Sequence, residues 1–506
     1  MLKLVLGTSG SGKTTLLYAR IRARAEAGKR SILLVPEQFT SSTEARIYRE
    51  LGDALSGMVE SYSFTSLAEH ILAIEGGAAV QTLTDAGRAV LVRRALEELQ
   101  DNVHYYYRHR RSAAFCQMAA ETIDELKSAG LSGQQLQELA RDCGTESAKL
   151  GELALIFQGY ESLLAGTGMD PADRLELAAD RLEAALARDE LPDFLREREV
   201  FIDEFDTFNA PKKRLMGAML AALPAVTVAL CEDGAPMQPG DLELFSGAKQ
   251  VAAQLRQLAR KNGAQVAAPE LLRRDLRHKD APGLAALTEL LETGSCTPPE
   301  SAPELRLFAA ASREEEARCA AAAIRRLMRQ GVRCGKIAVV CRDISLYRAA
   351  VRYEFRMAEI PLYCDEPTTP EFSAPATAVR ALLALLRGAD MTEQLTVLAK
   401  TGLCDLTEPE VCALENYAYT WSPNAAAWRA EFTKSPRGFG DAELTEEDTL
   451  NMTRAENARK KLVTAVDTLR SKVRSANAEQ ISRALYFCLK ELGAEEQQAA
   501  QVEDIR

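Results

Sequence analysis

The chain has 506 residues, enough for about three or four domains, and 47% hydrophobic with 27% charged residues is an ordinary globular composition. Lysine and arginine total 62 against 73 acidic residues, a formal charge of −11. That charge excludes a surface that is basic throughout but not a local basic groove. The sequence contains no apolar run of about 18 residues and no signal-peptide pattern, so we expect a cytoplasmic protein.

The chain begins with a short apolar strand at 2–6, a glycine-rich loop and then a helical pattern. The loop, Gly7-Thr8-Ser9-Gly10-Ser11-Gly12-Lys13-Thr14-Thr15, matches the phosphate-binding pattern GxxxxGK[ST] in its required context. Its glycines let backbone amides converge on phosphate oxygens at the positive end of the following helix. Lys13 would reach the β- and γ-phosphates, and the Thr14 hydroxyl would bind Mg²⁺. We therefore predict an ATP and Mg²⁺ site; the alternative is an ordinary Gly-Ser turn.

A second acidic motif follows a buried strand further along the chain. Val200-Phe201-Ile202 is apolar and is followed directly by Asp203 and Glu204. At the carboxyl end of a parallel strand beside the glycine loop, Asp203 would hold Mg²⁺ and Glu204 would polarise the attacking water. These two acids are the predicted catalytic and metal-binding carboxylates; the alternative is a solvated strand end.

The spacing of these motifs predicts an interrupted α/β fold. Strands are expected at 31–36, 59–64 and 226–230, whereas the residues from about 64 to 187 read as helices. A parallel sheet with a helical insertion accounts for this order. We expect a phosphate-binding domain at 1–65 and 195–295, with the helical insertion at 66–194.

A Pro-rich boundary at 297–303 precedes a second series of elements. Strands are predicted at 305–309 and 337–340, helices at 313–330 and 346–357, and mostly helix from 375. Residues 303–374 would then begin a second α/β domain, and 375–506 would be a helical region. The helical pattern reaches Arg506 without a stop signal, so we expect the chain to continue.

The eleven cysteines accompany only four histidines. No cysteine pair has the CxxC spacing typical of zinc ligands, so a zinc site is not favoured. We expect free thiols that mostly pack as small hydrophobic side chains.

The order of motifs resembles superfamily 1 helicases and, more closely, the AddB subunit of AddAB-type helicase–nucleases. The resemblance is carried by four segments: 7–15, Leu33-Leu34-Val35-Pro36-Glu37-Gln38-Phe39-Thr40, Val59-Glu60-Ser61-Tyr62-Ser63-Phe64-Thr65-Ser66-Leu67-Ala68 and Leu83-Thr84-Asp85-Ala86-Gly87-Arg88. It implies that both α/β domains are RecA-like, and that 66–194 and 375–506 correspond to the helical domains 1B and 2B. It also implies that 32–40 and 61–66 lie along single-stranded DNA.

The resemblance further implies a function at the level of a complex. The family processes double-strand DNA ends for recombinational repair as a heterodimer with AddA, which carries the main motor. The family's nuclease domain and iron–sulfur cluster belong to a C-terminal region absent from this sequence. One departure is that Glu232-Asp233-Gly234, after the strand at 226–230, lacks the Asp-x-x-Gln sensor of helicases.

Arginines of the second α/β domain are candidates to stabilise charge on the γ-phosphate. Arg342 is preferred as a catalytic residue because it directly follows the strand at 337–340, and Arg348 is the second candidate. Either could instead be a solvated arginine at a helix start. Because neither is expected to be held firmly, we predict slow or absent ATP hydrolysis by this chain alone.

Local support for DNA binding comes from an aromatic and basic cluster, Tyr105-Tyr106-Tyr107-Arg108-His109-Arg110-Arg111. It could stack bases and bind phosphates, or it could be a solvated loop whose tyrosines pack on helices. The basic run at 273–279 allows the same two interpretations, and a surface helix end is preferred. Trp421 and Trp428 would share one helical face if their segment is a continuous helix, and core or interface packing is preferred to base stacking for both.

Three functions remain open from the sequence. The chain could be the helicase-like part of a heterodimeric helicase–nuclease subunit that binds ATP and DNA. Intact Lys13, Thr14, Asp203 and Glu204 also suit an autonomous ATP-driven translocase. The missing sensor favours a scaffold with a relic nucleotide site.

Overall fold

The structure is a computed structural model that describes residues 1–77, 81–236, 244–364, 370–440 and 443–505. The chain divides into two compact units, Met1–Leu307 and Phe308–Arg506. Within the described residues, no helix is both long enough and apolar enough to cross a lipid bilayer.

The first unit is built on a parallel sheet of six strands in the order β3-β2-β4-β5-β1-β6. The strands are β1 (Leu2–Gly7), β2 (Ser31–Leu34), β3 (Val59–Tyr62), β4 (Glu199–Ile202), β5 (Ala225–Cys231) and β6 (Glu270–Leu272). Five of them lie where the sequence predicts strands. The sixth, β6, pairs with β1 but was missed, because three residues give no detectable alternation.

Helices cover both faces of this sheet. The helices of the first unit are α1 (Lys13–Glu26), α2 (Thr40–Leu51), α3 (Asp53–Ser56), α4 (Phe64–Glu75), α5 (Asp85–Glu98), α6 (Ala113–Ser128), α7 (Gly133–Arg141), α8 (Ser147–Leu164), α9 (Pro171–Ala187), α10 (Ala210–Ala222), α11 (Ser246–Lys261) and α12 (Pro282–Thr293). Side chains of β2 alternate between the faces: Ile32 and Leu34 pack with α4, α9, α10 and α11, whereas Leu33 packs with α1 and α2. Burial of both faces explains the continuous apolar runs of the strands.

The predicted helical insertion at 66–194 contains two kinds of helix. Helices α5, α6 and α8, with Leu136 of α7, enclose a separate core in which Phe157 and Tyr160 are buried. Helices α4 and α9 instead contribute to the main core on the sheet. The part of the insertion with its own core is therefore α5–α8.

A buried ionic network joins α6, α8 and α9. The Lys127 ammonium lies 2.7 Å from an Asp170 oxygen and 2.9 Å from Asp173. The Tyr160 hydroxyl donates to the other Asp170 oxygen at 2.6 Å. Asp170 is 1% exposed, so its charge depends on these partners.

The second unit is helical in its described residues. Its helices are α13 (Arg313–Arg329), α14 (Ile344–Met357), α15 (Ala374–Leu386), α16 (Met391–Ala399), α17 (Glu408–Trp421), α18 (Ala425–Arg429), α19 (Glu446–Val473), α20 (Ala478–Glu491) and α21 (Ala494–Ile505). The larger core is built from α15–α20 and contains Trp428, which is fully buried. Trp421 and Trp428 lie on different helices, so the continuous helix on which a shared face depended is not present. The preferred core role is confirmed: Trp428 belongs to this core and Trp421 packs against it.

The two strands predicted in the second unit, at 305–309 and 337–340, are not strands in the structure. Neither segment pairs with another strand among the described residues, and Leu307 and Val340 are 99% and 90% exposed. An apolar run forms a strand only when another strand hydrogen-bonds to its backbone amide and carbonyl groups. The neighbouring helices were predicted correctly as α13 and α14.

All eleven cysteines are free. The expectation of free thiols is thus confirmed. Cys116, Cys404 and Cys488 are buried, six others are half-buried, and Cys143 and Cys412 are exposed.

Removing Lys127 should destabilise the helical insertion. Lys127→Met leaves the Asp170 charge buried and unpaired, and loss of one partner of such a pair costs about 3–5 kcal/mol. Thermal unfolding followed by circular dichroism would measure the loss. In Lys127→Met/Asp170→Asn the buried charge is absent, while asparagine can still cap α9 and accept from Tyr160, so part of the stability should return. Equal stability of Lys127→Met and the wild type would contradict this interpretation.

Candidate nucleotide-binding site

The glycine loop leaves β1 and turns directly into α1. Gly10 and Gly12 have φ angles of 80° and 91°, a left-handed region that side chains disfavour. Gly12 precedes α1 without a capping side chain, and the first bond of the helix runs from Leu16 N to Gly12 O. Within the described residues, the first-turn amides of α1 therefore remain available to an anion.

Lys13 lies within this loop. Its ammonium donates hydrogen bonds to the carbonyl oxygens of Gly7 at 2.7 Å and Thr8 at 2.9 Å. Burial lowers the pKa of Lys13, the Arg277 guanidinium lowers it further, and the Asp203 carboxylate opposes the shift. A phosphate at the loop would offer this ammonium a charged partner in place of two neutral carbonyls.

The structure brings Asp203 beside Thr14, as the sequence predicts. Asp203 follows β4, is 5% exposed and lines one cavity together with Thr14. Burial raises the pKa of Asp203, although Thr14, the Glu204 amide and Lys13 each oppose that shift. A hydroxyl and a carboxylate are the oxygen donors that Mg²⁺ prefers, so this pair fits the ion.

Glu204 adopts an uncommon backbone conformation. Its φ is 65°, a left-handed value that a non-glycine residue rarely takes, and its amide donates to Asp203 Oδ1 at 3.0 Å. Partial removal from water raises the pKa of Glu204, the Asp203 charge raises it further, and Arg46 opposes both effects. Glu204 lines the same cavity as the glycine loop.

Arg277, which the sequence analysis assigned to a surface helix end, lies against the glycine loop. Its guanidinium donates to Ser9 Oγ at 3.1 Å, and the Leu276 amide donates to Gly10 O at 3.0 Å. Asp275 fixes the turn by accepting from the amides of Arg277 and His278. The interpretation as a helix end was wrong because β6 places 273–278 on the loop, a contact that no local pattern signals.

Arg46 is a second cation that the sequence analysis missed. It lies on α2, and its guanidinium stands 4.9 Å from the centre of the Tyr18 ring. Arg46 and Arg277 both line a cavity of about 520 Å³ together with Lys13, Thr14 and the two acids. That volume lies in the range of ordinary small-molecule sites.

The segments expected to follow DNA meet at the carboxyl ends of β2 and β3. The Thr65 hydroxyl donates to Glu37 Oε1 at 2.5 Å and so joins the two segments. They line a groove in which the Lys212 ammonium stands 5.8 Å from the Phe64 ring and 5.6 Å from the Phe205 ring. Within the described part of the chain, Lys212 forms no ion pair.

Arg342 belongs to the second unit. It is exposed and lies just before α14, whose first turn is capped by the Asp343 carboxylate. Arg348 lies on α14 itself. The catalytic role of either arginine stays a prediction.

Comparison with known proteins gives a consistent result. The family model described as "ADDB, N-terminal" matches residues 4–288. Proteins named as the B subunit of an ATP-dependent helicase/deoxyribonuclease are similar along almost the whole chain. That of Moorella thermoacetica is 31% identical over 99% of this chain and 44% of its own length. Those of Desulforudis audaxviator and Clostridium perfringens are 30% and 27% identical over 97% and 92% of this chain, and 44% and 41% of their own lengths. The chain thus spans less than half the length of these curated relatives.

Asp203→Asn should stabilise the nucleotide-free chain and weaken the effect of Mg·ATP. Because burial raises the pKa of Asp203, the ionised carboxylate is unfavourable in the folded state. The stability due to this group is therefore lost as pH rises from the usual aspartate pKa through the raised value. At neutral pH, Asp203→Asn should have the higher melting temperature without ligand.

Nucleotide should reverse that order. A ligand at about 100 times its dissociation constant stabilises a protein by about 2.7 kcal/mol. At the Mg·ATP concentration that gives this gain in the wild type, Asp203→Asn should gain much less. Asp206→Asn, an exposed acid of the same cavity, is the matched control and should behave as wild type. A lower melting temperature for ligand-free Asp203→Asn would contradict the argument.

Proposed function

The chain belongs to the family described as ADDB, N-terminal, and on that premise we propose that it is the helicase-like part of the AddB-type subunit of an ATP-dependent helicase/nuclease. In this proposal it binds Mg·ATP and single-stranded DNA through a RecA-like first unit. It acts in the cytoplasm, in a heterodimer with an AddA-like subunit that processes double-strand DNA breaks for recombinational repair. The relatives are named as one subunit of an enzyme, which supports the existence of a partner.

The observation that carries the proposal is that Thr14 and Asp203 line one cavity. These residues lie 189 positions apart in the chain, yet both stand at the carboxyl edge of the sheet. Beside them lie Lys13, the free amides of α1 and a cavity large enough for a nucleotide. A phosphate chain on those amides would put its terminal oxygens within reach of both Lys13 and Thr14.

Each residue then has a distinct task in nucleotide binding. Thr14 and Asp203 would hold Mg²⁺, which supplies positive charge to the phosphates when bound. Glu204 would orient a water molecule, and its raised pKa suits it to accept a proton. Arg277, held by Ser9 and the Asp275 turn, would add a positive charge at the rim of the loop.

The groove at the ends of β2 and β3 is the proposed path of single-stranded DNA. Lys212 would neutralise a phosphate there, and the rings of Phe64 and Phe205 would hold the Lys212 ammonium in place. Phe205 follows Glu204 directly and lines both the groove and the nucleotide cavity. A change at Glu204 could therefore be transmitted to the DNA path through one residue.

A scaffold that binds nucleotide without hydrolysing it is the second candidate, and one observation favours it. Where helicases carry the Asp-x-x-Gln sensor, Asp233 instead forms an ion pair with Lys249 at 3.1 Å. An autonomous ATP-driven translocase is the third candidate and rests on the intact Lys13, Asp203 and Glu204.

Lys13→Ala should weaken Mg·ATP binding strongly. Hydrogen bonds to a charged group contribute roughly 1.5–3 kcal/mol, so the affinity should fall about ten-fold to a hundred-fold. Isothermal titration calorimetry measures this, with Arg20→Ala as a control on the following helix, outside the cavity. Arg277→Ala should cause a smaller loss because Arg277 lies at the rim. Equal affinities of Lys13→Ala and the wild type would refute the nucleotide site.

ATP turnover separates the three candidates. We expect the 506-residue chain with saturating single-stranded DNA to turn over well below the ~1–100 per second of competent phosphoryl-transfer enzymes. The reason is that catalysis here depends on positioning, and the sensor position holds an Asp233–Lys249 pair. Turnover in the competent range, abolished by Glu204→Gln, would instead establish the autonomous translocase. Co-purification with an AddA-like subunit tests the heterodimer.

A further inference from the structure

A loop of the helical insertion, residues 103–111, is built as a rigid platform; we call it the 103–111 loop. It connects α5 to α6, and its start is fixed by one carboxylate. Glu152 of α8 accepts hydrogen bonds from the backbone amides of His104 and Tyr105 at 2.8 Å and of Tyr106 at 3.1 Å. Three consecutive amides on one charged acceptor hold the backbone in a single arrangement.

The inner side of the loop packs into the core of the insertion. Val103 is 1% exposed, and the Tyr106 ring lies 5.3 Å from the Phe115 ring. His109 also packs on Phe115, at 5.7 Å. Of the three tyrosines, Tyr106 is therefore the one that packs on Phe115, and these contacts anchor the loop to the core of the insertion.

The outer side carries the remaining aromatic and basic groups. Tyr105 and Tyr107 are 59% and 38% exposed. The Arg110 guanidinium lies over the Tyr107 ring at 3.7 Å and donates to the Tyr107 carbonyl. Arg108 and Arg111 are also exposed. Within nine residues the loop therefore presents an exposed tyrosine ring and exposed guanidinium groups.

The positive charge of this surface is not neutralised locally. Among the described residues, Arg108, Arg110 and Arg111 form no ion pair with a carboxylate. On the preceding helix, α5, Arg93 and Arg94 each pair with a glutamate four residues on, at 3.1 and 3.0 Å. The same insertion thus contains paired arginines on α5 and unpaired ones on the loop, in a chain whose net charge is −11.

We propose that the 103–111 loop is a binding platform for single-stranded nucleic acid. Arg108 and Arg111 bind phosphates, and Tyr105 stacks on a base. Unpaired bases suit exposed rings because every base has a face to stack, whereas a duplex offers mainly its phosphates. This site lies outside the groove at β2 and β3 and does not depend on the nucleotide site.

The first test measures how affinity depends on salt. Binding of fluorescent dT20 to the 506-residue chain is followed by anisotropy from low to physiological salt. For single strands the slope of log K against log salt is about −0.7 per phosphate neutralised, so Arg108→Gln/Arg111→Gln should reduce its magnitude by about 1.4. Arg93→Gln/Arg94→Gln removes the same charge from α5 and should leave the slope unchanged.

The second test isolates stacking. Tyr105→Ala should weaken dT20 binding about five-fold to a hundred-fold, the range expected for one lost base stack. Tyr105→Phe keeps the ring and should bind as wild type. On an abasic strand of the same length, Tyr105→Ala should have no effect. Both variants change an exposed ring, so a circular dichroism melt suffices to show that the fold is retained.

Three outcomes would overturn the platform. One is an unchanged salt slope in Arg108→Gln/Arg111→Gln. Another is equal loss on base-containing and abasic strands in Tyr105→Ala. The third is that the loop variants no longer bind a poly-glutamate peptide but still bind the oligonucleotide as the wild type does. That result would identify the loop as a site for an acidic protein segment.

The readouts also separate this proposal from the proposed function. If the chain binds Mg·ATP but the loop variants bind dT20 as well as the wild type does, only the platform is rejected. If the loop variants bind dT20 more weakly but the chain does not bind Mg·ATP, only the nucleotide site is rejected.

Discussion

The parallel pairing of β1 and β4 with β5 between them is the constraint on which the nucleotide site depends. Gly7 lies opposite Cys231 and Ile202 opposite Val228, so both outer strands run in the same direction along β5. Their following loops must then emerge at the same edge of the sheet. A shift of one residue would turn the buried side chains of β4 to the opposite face and move Asp203 away from Thr14. The apolar cores on the two faces thus hold the register that the polar site requires.

The same arrangement sets the electrostatics of the site. Placing Asp203 directly after the buried residues 200–202 removes its carboxylate from water, and its pKa rises even though four neighbouring groups favour the charge. Glu204, the next residue, has a left-handed backbone and lines the same cavity. A buried acid and a strained acid side by side are costly without a bound cation, and such cost is typical of a site shaped for a ligand.

What the sequence predicted correctly is local: five of the strands, the turn from β1 into α1 through the glycine loop, and the position of two acids after β4. Each follows from a short pattern that needs no knowledge of the rest of the chain, whereas the nucleotide-binding and catalytic roles stay predictions. Arg277 was misread because its partner, Ser9, is 268 residues away and the intervening β6 has only three residues. Arg46 was missed for a similar reason, since nothing in α2 marks which of its arginines turns toward β4. The strands expected in the second unit are absent because a strand also needs a partner for its backbone groups, and no described residues pair with these segments.

The overall charge of the chain likewise does not predict the charge of a particular surface. Many cations of the first unit are neutralised at short range: Arg214 meets three acids between α9 and α10, and Lys127 meets two. Such pairs cancel each other beyond the roughly 8 Å over which charges act at physiological salt. A binding partner therefore interacts with the unpaired charges of the local surface. The net charge of −11 does not describe that local charge. Among the residues the structure describes, Lys212 and Arg108 form no ion pair; in the same groove and loop, Glu37 accepts from Thr65 and Glu152 accepts from the loop's own backbone. An acidic chain can in this way present separate positive surfaces, each next to exposed or clustered aromatic rings.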